Sequence, residues 1–201
     1  MKRFSTPFSL LILSLTLVAC VDTTGLTKDI HKGPHPKSNP NGAAIVVEFG
    51  DLQCPACRTA HKSIVKPLLD KDGSVIRFEF HHFPLSSIHP FALAAAEASE
   101  CAGDQGKFWE FVDLDYEQQD KLSKGIFTEW GKTLHLNADL FSRCQRSHIK
   151  RPAILDEYAM GEKAGVGGTP TYFVNRQKVE STLPAIEAAV NASIKGTEQR
   201  L

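Results

Sequence analysis

Residues 45–57 read Ile-Val-Val-Glu-Phe-Gly-Asp-Leu-Gln-Cys-Pro-Ala-Cys, and this stretch decides the fold. Its first five residues are rich in β-branched and aromatic side chains, which predicts a buried strand. Gly50 and Asp51 end that run. Apolar residues then recur at helical spacing, namely Ala60, Ile64, Val65, Leu68 and Leu69. Pro55 is therefore expected in the first turn of a helix, where proline is tolerated.

Cys54 and Cys57 lie at the start of this predicted helix. A cysteine there is close to unpaired backbone N–H groups and to the positive end of the helix dipole, and both lower its pKa. We predict that Cys54 is the exposed nucleophile of a redox disulfide, and that Cys57, one turn further along, resolves the mixed disulfide. The order of strand, turn, Cys-x-x-Cys and helix favours this redox use.

Three other uses of the cysteine pair are alternatives to a redox disulfide. One is half of a zinc site that includes His61, although no second Cys-x-x-Cys supplies further ligands. Another is a purely structural short-range disulfide, which the strand–helix placement disfavours. A c-type haem site would have histidine directly after Cys57, where Arg58 stands. We predict no bound metal and no small redox cofactor.

Composition and charge limit the class of protein. The chain has 201 residues, of which 42% are hydrophobic, and this suits one compact domain with attachments. Its 23 basic and 23 acidic residues give no formal net charge. Because no basic cluster combines with aromatic residues, we expect no nucleic-acid partner.

Residues 1–19 have the pattern of a secretory signal peptide. A cationic start precedes an apolar stretch, Phe8 to Ala19, that is shorter than the roughly 20 residues needed to span a bilayer. The following Leu17-Val18-Ala19-Cys20 resembles the bacterial lipobox. That resemblance implies export and a lipid anchor on Cys20, with the protein facing the periplasm or the cell exterior. The alternative is ordinary cleavage nearby, with Cys20 incidental.

Residues 20–42 are predicted to form a flexible tether between the lipidated cysteine and a domain spanning 43–195. The segment is rich in Thr, Lys, Pro, Gly and Asn and has no apolar periodicity. His31 and His35 lie in it, and we interpret both as solvated residues rather than metal ligands.

The remaining pattern predicts a thioredoxin fold of the α/β class with a helical insertion. A strand is expected over 75–83 and further strands over 171–174 and 177–180. Helices are expected over 87–119 with a break at Gly103 and Gly106, then over 127–134, 138–145, 153–164 and 183–194. Asn137 is a plausible N-cap. The insertion, about 86–165, separates β-α-β and β-β-α halves that should share one sheet.

From about residue 43 to 192 the chain resembles the DsbA-type thiol–disulfide oxidoreductases, in the branch whose members are often exported lipoproteins or membrane-tethered. Several motifs in the same order carry the resemblance. They are Glu48-Phe49 before the cysteine pair, His82-Phe83-Pro84-Leu85, Ala94-Ala95-Ala96-Glu97 running into residues 101–109 (Cys-Ala-Gly-Asp-Gln-Gly-Lys-Phe-Trp), and Gly165-Val166-Gly167-Gly168-Thr169-Pro170.

The resemblance implies roles for individual residues. Cys54 would attack and Cys57 resolve, while Thr169-Pro170 would form a cis-proline loop that binds extended substrate backbone. Glu48 would be a buried acid that moves protons to and from Cys57. A plain turn at 168–170 and a solvent-facing glutamate on an edge strand are the alternatives.

The other two cysteines, Cys101 and Cys144, match a second, non-catalytic disulfide of some relatives. Two free buried thiols are the alternative. The histidines His81, His82, His89, His135 and His148 lack ligand spacing, and we interpret them as structural or surface groups.

The chain departs from the strongly oxidising relatives between its active cysteines. Pro55-Ala56 stands where those members carry Pro-His. Without an imidazole, stabilisation of the Cys54 thiolate would rely on backbone N–H groups alone, so we expect a milder oxidant than those members.

The resemblance also implies partners. It implies oxidation of cysteine pairs in exported proteins and reoxidation by a membrane protein, usually one linked to quinone. We expect a monomer, since no dimerisation segment precedes residue 43. The alternatives are a reductase or isomerase on the same scaffold, a metal-delivery lipoprotein that uses Cys54, Cys57 and His61, and a non-catalytic binding module.

Overall fold

A computed structural model describes residues 21–27 and 35–198. The predicted signal peptide, Cys20 and His31 lie outside the described residues. The described residues contain five strands: β1 (Lys37–Ser38), β2 (Ala44–Gly50), β3 (Ile76–His82), β4 (Thr171–Val174) and β5 (Gln177–Val179). They form one sheet in the order β1-β3-β2-β4-β5. The predicted thioredoxin fold is confirmed.

The central strand β2 joins the two halves of the fold. It pairs in parallel with β3, from Ala44 opposite Ile76 to Gly50 opposite His82. On its other side it pairs antiparallel with β4. A parallel pair needs a crossover connection, and the helix that begins at Pro55 provides it. The prediction that both halves share one sheet is therefore confirmed.

The helix after the cysteine pair is continuous but locally widened. Its parts are α1 (Pro55–Ala60), a π-helical turn (His61–Val65) and α2 (Lys66–Asp72). Pro55 occupies its first turn, as predicted. Such π turns recur at functional sites in other proteins.

Five helices form the insertion, and one more follows β5. The insertion contains α3 (Ala92–Gly103), α4 (Phe108–Glu117), α5 (Ile126–Thr133), α6 (Ala138–Ser147) and α7 (Arg151–Lys163). A 3-10 turn, Gln119–Lys121, follows α4. The last helix is α8 (Leu183–Glu198), which extends beyond its predicted end. Asn137 caps α6, because its side chain accepts a hydrogen bond from the Leu140 N–H at 3.0 Å. In residues 21–27 and 35–198, no helix combines the length and apolar character that crossing a membrane requires.

The main core runs without a break from the sheet into the insertion. Phe78 and Phe80 on β3 meet the aromatic side chain of Trp109, and Phe111 then contacts Trp130 deeper in the insertion. A smaller cluster on the other face of the sheet contains Phe49, Phe83, Val166 and Phe173. The insertion is therefore packed as part of the same domain.

The described part of the predicted tether differs from the expectation. Lys37–Ser38 pair antiparallel with the edge of β3, so the domain starts before residue 43. His35 is only 8% exposed; it stacks on Phe108 and its Nε2 lies 2.9 Å from Glu100 Oε1. The interpretation of His35 as solvated is wrong. Its partners are distant in sequence, and local composition carries no trace of them.

Residues 21–27 contact the insertion. Arg143 donates to the carbonyls of Asp22 and Thr24 at 3.2 and 2.8 Å. Lys150, whose side chain is fully buried, donates to Thr27 Oγ1 at 3.0 Å and to Asp104 Oδ1 at 2.6 Å. These contacts place the first described residues on the helices rather than away from them.

A disulfide between Cys101 and Cys144 joins α3 to α6. The Cα atoms are 5.9 Å apart, and 43 positions separate the two residues in sequence. The resemblance implies this pairing. The bond closes a long loop within the insertion and leaves Cys54 and Cys57 as free thiols.

Replacing both Cys101 and Cys144 by alanine should lower the free energy of unfolding by about 4 kcal/mol, because the unfolded chain regains the entropy of an open loop. Urea unfolding monitored by circular dichroism measures the change. The reduction potential of Cys54–Cys57 serves as the control and should stay unchanged. A loss below about 1 kcal/mol would contradict a stabilising role for the bridge.

Candidate active site

Cys54 lies directly before the first turn of α1, where the loop that follows β2 enters the helix. It has extended backbone angles, φ −76° and ψ 121°, and its N–H donates to the Asp51 carbonyl at 3.0 Å. Cys54 is 6% exposed, whereas Cys57 is completely buried. The order of accessibility is as predicted, but Cys54 is less exposed than the sequence suggests.

The environment of Cys54 favours its thiolate. Its pKa is lowered to about 5, first by the hydrogen bond with the Cys57 side chain, and further by Thr169 and by the backbone N–H groups of Cys57 and Ala56; burial acts in the opposite direction. The expectation that backbone N–H groups act alone is therefore wrong. The Thr169 hydroxyl is buried and has no hydrogen-bond partner of normal geometry in the described part of the chain.

Cys57 has the opposite character. Burial raises its pKa well above the ordinary value, and the nearby Cys54 and Glu48 raise it further. The Asp51 N–H is directed at the Cys57 sulfur, 3.5 Å away. At neutral pH the pair therefore holds one thiolate, on Cys54, and one thiol, on Cys57.

The loop before β4 faces the attacking cysteine. The Thr169–Pro170 peptide bond is cis, and the Thr169 carbonyl oxygen lies 3.4 Å from Cys54 Sγ. Thr171, the first residue of β4, donates from its hydroxyl to the Gly168 carbonyl at 2.7 Å. The loop and Cys54 are 115 positions apart in sequence, and the pairing of β4 with β2 brings them together.

Glu48 is buried beneath the cysteines. It lies on the central strand β2, is 1% exposed, and is paired in register with Tyr172 on β4. The alternative of a solvent-facing glutamate on an edge strand is wrong. Burial raises the pKa of Glu48 to about 8, the Tyr172 hydroxyl lowers it, and Cys54 raises it. Although these two side chains face each other, neither Glu48 Oε1 nor the Tyr172 hydroxyl has a partner at normal hydrogen-bond geometry among the described residues.

Asp51 holds the loop after β3 against the active-site turn, a function that the sequence analysis missed. Its Oδ2 accepts hydrogen bonds from the Leu85 N–H at 2.9 Å and from His89 Nδ1 at 2.8 Å. Its Oδ1 accepts one from the Gln53 N–H at 2.8 Å. The only sequence signal was the position of an acid three residues before Cys54. An acid there is equally common in an ordinary turn, so its partners decide its importance.

Gln119 also supports the site from the insertion. Its Nε2 donates to the carbonyls of Leu52 at 2.8 Å and Cys54 at 3.1 Å. Gln53 Oε1 accepts a hydrogen bond from the Phe91 N–H at 2.6 Å. These two amides attach both ends of the cysteine turn to helical segments that are remote in sequence.

His61 is directed at the insertion rather than at the cysteines. Its Nε2 lies 2.6 Å from Asp113 Oδ1 on α4. Within residues 21–27 and 35–198, no three His, Cys, Asp or Glu side chains form a metal-binding group. Five of the other histidines are paired with carboxylates: His35 and His82 with Glu100, His81 with Glu157, His89 with Asp51 and His148 with Glu97.

A Cys-x-x-Cys pair at the start of a helix, facing a cis-proline loop across a mixed sheet, defines a thioredoxin-fold protein with a redox-type site. Comparison with family models agrees with this class: the model described as thioredoxin matches residues 33–192. The chain belongs to the thioredoxin family.

Solved structures place its architecture more closely. BdbD from Bacillus subtilis superposes with a TM-score of 0.71 and 21% identity over 82% of this chain and 94% of that one. A thioredoxin-like oxidoreductase from Silicibacter pomeroyi superposes with a TM-score of 0.70 and 25% identity, over 81% of this chain and 92% of that one. For α-DsbA1 from Wolbachia pipientis the TM-score is 0.70 and the identity 19%, over 83% of this chain and 94% of that one. The fold is thus that of the DsbA-type thiol–disulfide oxidoreductases.

The curated relatives carry a different name. The chain is 34% identical over 168 residues to the Na(+)/H(+) antiporter NhaA 1 of Salinispora arenicola, covering 83% of this chain and 26% of that protein. A similar match, 27% identical, is the Na(+)/H(+) antiporter NhaA of Herminiimonas arsenicoxydans. The chain spans about a quarter of the length of these relatives. The antiporter name belongs to the longer proteins and assigns no activity to this segment.

Replacing Cys57 by alanine should raise the pKa of Cys54, because the largest single stabilisation of its thiolate is lost. We expect a rise of at least one unit from about 5, read from the ultraviolet absorbance of the thiolate or from alkylation rates. Thr169→Val, which keeps the shape of the side chain, should give a smaller rise. An unchanged pKa in Cys57→Ala would contradict this assignment.

Replacing Glu48 by glutamine should stabilise the protein at alkaline pH. The folded-state pKa of about 8 lies above the unfolded value, so wild-type stability from this group is complete at low pH and is lost as the pH rises through about 8. The variant should therefore gain roughly 2–4 kcal/mol relative to wild type between pH 5 and 8.5, measured by urea unfolding.

The matched control for this experiment is Glu180→Gln, which removes the charge of an exposed carboxylate. Its stability difference from wild type should be small and independent of pH. If Glu48→Gln shows the same flat difference, the carboxyl is ionised in the folded protein and the assignment of a raised pKa is wrong.

Proposed function

We propose that this protein is a thiol–disulfide oxidoreductase that oxidises cysteine pairs of exported proteins through Cys54 and Cys57. The observation that carries the proposal is the contrast within the pair. Cys54, 3.4 Å from the Thr169 carbonyl, has a pKa of about 5, and Cys57 is a buried thiol whose pKa is raised. The Cys54 sulfur is suited to be attacked and to act as a leaving group, and the Cys57 sulfur is suited to retain a proton.

The first step begins with the Cys54–Cys57 disulfide. A substrate thiolate attacks Cys54 Sγ, a substrate–Cys54 bond forms, and Cys57 leaves as a thiolate. Because Cys57 is fully buried, its anion is unfavourable there and takes a proton. Glu48 is the acid beneath it, and its pKa of about 8 keeps it protonated at neutral pH. The substrate backbone lies along Thr169-Pro170 in this complex.

The second step releases the product. A second substrate thiolate attacks the substrate sulfur of the mixed disulfide, and Cys54 leaves as a thiolate. The substrate dithiol has lost two electrons and two protons; the enzyme has gained the electrons and holds one proton, on Cys57. A low pKa makes Cys54 a good leaving group. A membrane redox partner then removes the two electrons and restores the disulfide.

The direction of electron flow follows from the stability of the reduced form. Thioredoxin, with a cysteine pKa of about 7, has a potential of about −270 mV, whereas DsbA, with about 3.5, lies near −120 mV. Cys54, at about 5, falls between the two. One pKa unit and 30 mV both correspond to about 1.4 kcal/mol, so we expect about −200 mV, which is a mild oxidant.

The location of the protein forms part of the proposal. Residues 1–19 direct export, and lipidated Cys20 holds the domain at a bacterial membrane, facing the periplasm or the cell exterior. The support is the sequence pattern of residues 1–20. We further propose that the protein is a monomer, binds no nucleic acid and needs no small redox cofactor.

The lipid anchor has a direct test. Cys20→Ala should release the protein from the membrane fraction of cells and remove the label of a radioactive fatty acid. Wild-type protein that stays soluble and unlabelled would contradict the anchor and leave the proposed redox activity unaffected.

The proposed function is tested by the reduction potential of Cys54–Cys57, measured by equilibration with glutathione. A value near −200 mV, with oxidation of a reduced peptide that is lost in Cys54→Ser, is the expected result. A value near −270 mV would reverse the direction to a reductase, and one near −120 mV would contradict the expectation of a mild oxidant. Stoichiometric zinc or copper in the reduced protein would favour metal delivery instead.

A further inference from the structure

Four polar side chains beneath Cys57 form a group that we call the buried polar cluster: Glu48, Asp115, Tyr116 and Tyr172. Five of their oxygens are inaccessible and have no hydrogen-bond partner within residues 21–27 and 35–198. These atoms are Glu48 Oε1, Asp115 Oδ1, Asp115 Oδ2, Tyr116 Oη and Tyr172 Oη. Each residue in the cluster is at most 1% exposed.

The cluster combines residues from both parts of the fold. Glu48 and Tyr172 are opposite each other on β2 and β4, while Asp115 and Tyr116 come from α4 of the insertion. Charges on Cys57, Glu48, Asp115 and Tyr172 all act on Tyr116, in that order after burial itself, and raise its pKa. Its ring also packs against His61, four residues after Cys57, with ring centroids 5.0 Å apart, so Tyr116 joins the insertion to the cysteine helix.

Asp115 is unusual because a carboxyl at 0% exposure has no cationic partner and no hydrogen-bond donor in the described part of the chain. Burial raises its pKa well above the ordinary value, and the negative charge of Asp51 raises it further. The protonated form of Asp115 is therefore favoured. Asp115 is thus a second buried acid, besides Glu48, whose pKa is raised.

A purely structural explanation accounts poorly for these residues. Leaving buried polar groups without partners destabilises a protein, and native structures satisfy nearly all of them with protein groups or internal water. An apolar side chain at position 115 would fill the same space at lower cost. Buried hydroxyl and carboxyl groups gathered at one place instead suit the movement of protons.

We propose that Asp115 and Tyr116 form a proton relay between solvent and the buried pair Glu48–Cys57. The inference rests on the proposed function, since only redox cycling forces a proton to enter and leave this site. It assigns the helical insertion a direct part in the chemistry. The relay residues act through Glu48 and do not touch the reacting disulfide.

The relay balances as follows. When the disulfide breaks, Cys57 leaves as a thiolate and takes the proton of Glu48. The Glu48 carboxylate takes a proton from Asp115, by way of the Tyr116 hydroxyl and internal water, and solvent returns one proton to Asp115. No electrons move in these steps, and reoxidation runs them in reverse.

On the insertion side, the buried Tyr116 and His61 are linked to a partly exposed carboxylate. His61 contacts the ring of Tyr116, with ring centroids 5.0 Å apart, and its Nε2 is bonded to Asp113, whose side chain is 40% exposed. The titratable or charged groups around Asp115 and Tyr116 from all packed elements are Glu48, Asp51, Cys57, His61, Asp113 and Tyr172.

The experiment follows protons directly. Oxidised protein is mixed with one equivalent of dithiothreitol in weak buffer containing a pH-indicator dye at pH 7. The reagent loses two protons, of which the enzyme keeps one. In wild type, proton uptake should match reduction of the disulfide. In Asp115→Asn and in Tyr116→Phe, the rate of proton uptake should be about tenfold lower than the rate of disulfide reduction. This factor is smaller than the rate enhancement that a positioned proton-transfer group typically gives.

The matched control is Glu117→Gln, which removes an exposed carboxylate from the same helix and should show no lag. The reduction potential should be nearly unchanged in every relay variant, which separates a relay from general damage to the site. Normal reduction without a lag in both Asp115→Asn and Tyr116→Phe overturns the relay alone. Failure of dithiothreitol to reduce Cys54–Cys57 in wild type overturns the proposed function and the relay together.

Infrared spectroscopy provides a second test that does not require replacing Asp115. Glu48→Gln should retain the C=O stretch of one protonated carboxyl at pH 7, shifted by deuterium exchange, because Asp115 still holds its proton. Absence of that band means that Asp115 is ionised and overturns the proposal, even if the Asp115 variants do not fold.

Discussion

The unequal burial of two cysteines is the constraint on which this structure depends. β2 ends at Gly50, and the turn at Asp51 starts the next helix so that Cys54 precedes the first turn while Cys57 lies inside it. The first sulfur meets N–H groups and the Thr169 loop; the second meets the core. Opposite pKa changes in neighbouring residues follow from this placement, and the proposed exchange chemistry uses that difference.

The helical insertion is more than a cover for the sheet. Gln119 holds the carbonyls of the cysteine turn, and Asp113 orients His61 on the helix that begins with the cysteines. The insertion itself is tied by the Cys101–Cys144 bridge. Because its core is continuous with that of the sheet, changes on α4 can reach Cys57 without touching substrate. This continuity is what makes a contribution of α4 to proton transfer physically reasonable.

Several errors in the sequence predictions have one cause. His35 was expected in solvent and is buried against Phe108 and Glu100, and Lys37–Ser38 form an edge strand within a segment of loop-like composition. Cys54 was expected to be more exposed, and backbone N–H groups were expected to act alone on it. For His35 and for Lys37–Ser38 the deciding partners are far away in sequence, so local periodicity and composition contain no information about them. For Cys54 the remote partner is Thr169, while the largest contribution comes from the neighbouring Cys57 side chain.

The sequence by itself determined the order of strands and helices from β2 onwards, the place of Cys54-Pro55-Ala56-Cys57 at a helix start, and the insertion, because periodicity, proline and glycine act on the local backbone. It also indicated Glu48 and Thr169-Pro170 through family resemblance. Only the tertiary structure decided that Glu48 is on the central strand, that Thr169 meets Cys54, and that Asp115 and Tyr116 are buried. Burial is set by packing between remote segments, and it is the largest cause of the raised pKa of both Glu48 and Cys57.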